Sequence, residues 1–140
     1  MKSKLHQIQE AYLYAKANLK AAQEREEAAD HAWLVAHDIR NPDGTIPTTS
    51  WMLEGSDEEV ERVFAEMGKD ETLNRLWDDT TTARYMLRNA ENDLIDWVLS
   101  VPGIPAREKA TLRQNLHRLP IREKLIDLAM KLDASTIPVK

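Results

Sequence analysis

Leu5, Ile8, Tyr12, Ala15, Leu19, Ala22, Ala29, Trp33 and Ala36 recur at alternating three- and four-residue steps, a seam broken only by Glu26. A stripe of this kind turns one side of a helix toward a partner helix along its whole length. Leu73, Leu76, Thr80, Ala83, Leu87, Ala90, Leu94 and Trp97 repeat the pattern further on. Two such rods predict an all-α fold: a helical bundle built on a long antiparallel helical hairpin, with a short C-terminal helical hairpin beside it. Strand signals are missing, since the only β-branched cluster, Thr80-Thr81-Thr82, lies inside the second frame.

Local punctuation sets the expected boundaries of one domain, 1–140. The first helix spans about residues 1–40, starting near Ser3 and ending near Asp38, before the turn signal Asn41-Pro42-Asp43-Gly44. Its second apolar row, Tyr14, Ala21, Ala28 and Val35, predicts a wide buried face touching two neighbours. An irregular loop, 41–55, carries Pro42, Pro47 and several threonines and ends in Trp51-Met52-Leu53. Ser56 and Glu59 form a capping box for a short acidic helix, 56–68, that buries Val60, Val63, Phe64 and Met67 and stops at Gly68. Asp70 caps the second long helix, 70–100, with Asp78-Asp79-Thr80-Thr81-Thr82 a possible kink. Val101-Pro102-Gly103-Ile104-Pro105 ends it. A basic hairpin, 105–133, follows: one helix burying Leu112, Leu116 and Leu119, a break at Pro120, and another burying Ile121, Leu125, Leu128 and Leu132. Residues 134–140 read as a tail.

The 140 residues lack cysteine, which excludes disulfide scaffolds, thiolate metal sites and cysteine nucleophiles. No window of eighteen apolar residues exists, so a cytoplasmic protein without a membrane partner is the expectation. The net charge is −5, but it is unevenly spread. Residues 54–79 hold ten acidic and three basic side chains, whereas residues 105–140 hold eight basic and four acidic ones. The chain is strongly dipolar along its length, so surfaces of opposite sign either meet within the molecule or face outward.

Signatures of chemistry are absent. His31 and His37 lie six apart on different sides of one helix, and no Glu-x-x-His or His-Glu-x-x-His pattern occurs, so neither metal nor cofactor is expected. No serine stands in Gly-x-Ser-x-Gly, and the isolated glycines form no phosphate loop. The reading is therefore non-enzymatic: a protein–protein interaction module, an adaptor or inhibitor. Phage or mobile-element inhibitors of nucleic-acid machines, such as anti-CRISPR proteins, are of this general type. Asp57, Glu58, Glu61 and Glu66 would offer an acidic helical surface to a partner protein with a basic surface. Trp51 would either anchor that partner or pack down onto the bundle end, the latter being the simpler expectation. Trp33, Trp77 and Trp97 belong to the core. The alternative is a nucleic-acid-binding subunit using Arg107, Lys109, Arg113, Arg118 and Arg122 on the basic hairpin. Full pairing within the long hairpin leaves a monomer, and exposed heptad surface a homodimer.

Overall fold

The computed structural model describes residues 3–100 and 105–132. These residues form five α-helices, α1 (Lys4–Ala36), α2 (Asp57–Met67), α3 (Glu71–Leu99), α4 (Ala106–Gln114) and α5 (Leu119–Lys131), and a single 3₁₀ turn, Ser50–Met52. No strand occurs among them. The Val101–Ile104 stop signal and the 134–140 tail lie outside the described residues. The chain divides into two compact units, one drawing on residues up to 17 and from 85 onward, the other on residues 18–84.

In the first unit, the start of α1 packs against the end of α3. Leu94, Ile95, Val98 and Leu99 meet Leu125, Ile126 and Ala129 of α5, with Ile8 and Tyr12 of α1 against the same cluster. Each of these larger side chains contributes roughly 1.5–3 kcal/mol by leaving water. Arg122, 5% exposed, is also buried here. Its guanidinium donates to Glu91 Oε1 at 3.0 Å and to Asn92 Oδ1 at 2.9 Å on α3. On α1, Gln9 donates its Nε2 hydrogens to the carbonyls of Ala129 and Leu132, at 2.9 and 3.0 Å. Ala129 O also accepts the Leu132 amide that closes α5, at 3.4 Å, so Gln9 reinforces the end of the helix.

The basic hairpin turns Leu112, Leu116, Ile121, Leu125 and Leu132 to the core as expected, and departs from the pattern elsewhere. Pro120 does not break a helix; it sits in the first turn of α5, where a missing N–H costs nothing. Because Arg122 takes the inward position opposite Glu91, the buried stripe becomes Arg122, Leu125, Ile126 and Ala129. Leu128 is turned outward at 46% exposure, and Leu119, expected in the core, is 63% exposed.

In the second unit, the end of α1 packs against the start of α3 and against α2. Leu34, Val63, Met67 and Leu73 form the buried centre, ringed by Ala29, Trp33, Ile39, Ile46, Leu53 and Trp77. The two long helices thus run antiparallel. Thr80 is wholly buried, and its hydroxyl lies 3.0 Å from the Leu76 carbonyl and 3.3 Å from that of Ala22 on α1. With that hydroxyl satisfied inside the helix, α3 continues through Asp78–Thr82 without a break.

Strict heptads also drift on a straight helix, by about 20° per repeat. From Ala22 onward the inward line of α1 steps by four, to Asp30 and Leu34, and Ala36 is left exposed. The second apolar row does not form a buried face: Tyr14 is 69% and Val35 48% exposed. No helix of the described residues is long and apolar enough to cross a membrane.

Candidate partner-binding surface

The loop after α1 is built by short-range hydrogen bonds. Asp38, at φ 51°, takes the left-handed position that closes α1. The amide of Ile39 donates to Leu34 O and that of Asp38 to Val35 O, the paired bonds of a Schellman end. Asn41-Pro42-Asp43-Gly44 forms the next turn rather than the helix stop, with Gly44 at φ 88°. Asp43 accepts from the Thr45 hydroxyl at 2.6 Å and the Thr45 amide at 3.0 Å. The Thr45 hydroxyl and then its amide hold the Asp43 carboxyl below its ordinary range. Their contribution is present at neutral pH and is lost as pH falls through that lowered value.

Three contacts tie the rest of the loop to the helices. His31 Nδ1 lies 3.2 Å from the Pro47 carbonyl. Asp30, 1% exposed, accepts from Ser50 Oγ at 2.8 Å and from Trp77 Nε1 at 3.2 Å. Thr49 and Ser50 are buried as a result. The next residue of the tight turn then points away: Trp51 is 79% and Met52 61% exposed. Trp51 is not packed down onto the bundle, because burial of Ser50 on Asp30 turns its neighbour outward. Its ring tilts against Phe64 of α2, centroids 6.5 Å apart. Together they border a cleft of about 270 Å³, also lined by Glu26, Trp77, Thr81 and Arg84.

Helix α2 starts as expected, with Ser56 Oγ accepting from the Glu59 amide at 3.3 Å. Gly68 follows its last residue in a right-handed conformation, its amide bonded to Phe64 O. Asp57, Glu58, Glu61 and Glu66 are all exposed. Asp57 and Glu61 stand seven and three residues before Phe64, so they share its side of the helix, the side on which Phe64 meets Trp51. Glu58 continues this surface around the outside. Glu66 lies on the opposite flank and pairs with Lys69 at 2.9 Å. Trp51 thus meets the Asp57–Glu61 side of α2 at Phe64, and Glu66 lies on another side.

The basic candidates divide too. Arg107, Arg113 and Arg118 are exposed and Lys109 is half-buried, but Arg122 is internal and bonded to Glu91 and Asn92. It is removed from any outer basic face. Among the described residues, no three His, Asp or Glu side chains converge as a metal site would require. His37 instead stacks on Trp33, 3.9 Å between centroids, and bonds to its carbonyl.

Asp30 is the residue that sequence reasoning passes over, since the seam runs through Ala29 beside it. The drift of a straight helix was the signal that could have found it. Exposed Met52 and half-buried Phe64 complete an apolar surface that Trp51 alone does not reveal. No protein-family model, curated protein or solved structure matches the chain, so the reading of this surface rests on its geometry and charge.

Proposed function

We propose that this protein is a non-enzymatic interaction module, an adaptor or inhibitor, that binds a partner protein with a basic surface through Trp51 and the acidic face of α2. The observation that carries the reading is Trp51, 79% exposed on a turn whose preceding residue is buried and bonded. A large aromatic held out at the edge of carboxylates combines an apolar anchor with electrostatic selection. Asp57 and Glu61 lie on the Phe64 side of α2, and carboxylates so arrayed suit a site that otherwise receives phosphates. An inhibitor of a nucleic-acid machine, as anti-CRISPR proteins are, would work in this way.

Affinity capture from the native host, run in parallel with variants, tests the reading. A protein retained by the wild-type chain should be lost with Trp51→Ala, an effect of roughly 2 kcal/mol or more for a central anchor. Asp57→Lys with Glu61→Lys should abolish its capture, and Glu66→Lys, on the other flank, should leave it intact. Retention that ignores Trp51 and the acids overturns the proposal. Retention of nucleic acid instead, lost in Arg113→Glu with Arg118→Glu and released steeply by salt, would move the function to the basic helices.

A further inference from the structure

The first unit carries a groove whose character is the converse of the Trp51 surface. Leu112 of α4 and Ile121 and Leu128 of α5 form its apolar lining, Arg107 and Lys124 stand on its rim with Glu108, and its volume is about 490 Å³. Leu128 is 46% exposed there because Arg122 has taken the inward position on α5. The segment holding this groove has an excess of basic residues, and the segment holding α2 an excess of acidic ones. One surface offers apolar side chains beside carboxylates, and the other an apolar recess beside cations.

We infer that two copies of this chain associate head to tail, the Trp51 turn and acidic α2 face of one entering the Arg107–Lys124 groove of the next. Such a contact is heterologous: a pair keeps one unused groove at one end and one unused Trp51 surface at the other, so association extends into a ring or an open chain rather than stopping at a symmetric pair. Charge complementarity selects the orientation, and the Trp51 indole supplies the apolar contact. The inference uses the same Trp51 surface as the proposed function, but it adds a second surface that the function does not need.

Sedimentation velocity on the purified full chain tests it. The weight-average mass should rise above 16.1 kDa with concentration and fall back as salt is added. Trp51→Ala and Arg107→Glu with Lys124→Glu should each weaken association roughly tenfold or more. Mixed in equal amounts, these two variants retain one intact junction between them and should form a one-to-one pair that grows no further. The substituted side chains are exposed, and circular dichroism of each variant verifies that its helices are retained. A mass of 16.1 kDa at every concentration overturns the inference. So does a symmetric dimer unaffected by either variant, or a mixture that fails to restore pairing. The groove variant keeps Trp51, Asp57 and Glu61, so partner capture by that variant reports on the proposed function separately.

Discussion

Asp30 decides where the exposed aromatic sits. A carboxylate this deeply buried requires its lone pairs to be used, and Ser50 and Trp77 use one oxygen each. Asp30→Ala leaves both donors without their acceptor, at an expected cost of about 1–3 kcal/mol in urea unfolding. The same variant should release the Ser50 turn, seen as faster amide exchange at residues 49–52, with α2 and α4 unaffected. Arg122 presents the opposite lesson. Arg122→Ala strands Glu91, whose side chain is 21% exposed, and should cost about 3 kcal/mol, a little less than for a fully buried pair. Arg122→Met fills the same volume without a charge, and with Glu91→Gln it should be nearly neutral or stabilising. A denaturation series in which the alanine and methionine variants behave alike would contradict this account.

At the scale of the elements, α3 passes through a run of residues that disfavours helices. The Thr80 hydroxyl lies within hydrogen-bonding distance of carbonyls on both long helices. Thr80→Val keeps the shape and removes that hydroxyl, so it should lower stability by about 1 kcal/mol without shortening α3, as unfolding and circular dichroism would show. The two long helices and their antiparallel pairing were legible because period and length agree over many turns. Ser56 and Asp70 were legible for another reason: a cap is a local bond, and both side chains accept from the amide three residues on. The end of α1 was less so, since Asp38 adopts a left-handed conformation that its residue type alone does not announce. In the last two helices Leu112, Leu116, Ile121, Leu125 and Leu132 pack on the core as their spacing predicts, but Leu119 and Leu128, expected inside, are exposed and Arg122, expected on a solvated face, is buried. Arg122 and Leu128 exchange those roles once Glu91 and Asn92 of a distant helix are in place, and no local pattern records that pairing.

Across the whole molecule, charge is sorted along the chain, and the consequence is a field that Trp51 should feel. Ten acidic side chains crowd residues 54–79, and Asp57 and Glu61 lie on the side of α2 whose Phe64 meets the exposed indole. Arg84, in the cleft with Glu26, opposes them only in part. The other tryptophans are partly buried, so the fluorescence lost in Trp51→Phe isolates the exposed ring. Caesium should quench that component better than iodide does, because the local potential concentrates cations and repels anions. Added sodium chloride should narrow the gap, since the screening length shrinks to about 10 Å at 0.1 M. Asp57→Lys with Glu61→Lys should narrow it further or reverse it at constant salt. Equal quenching by the two ions at low salt would mean that the acidic segment does not set the potential at Trp51, and electrostatic selection of a basic partner at this surface would lose its physical basis.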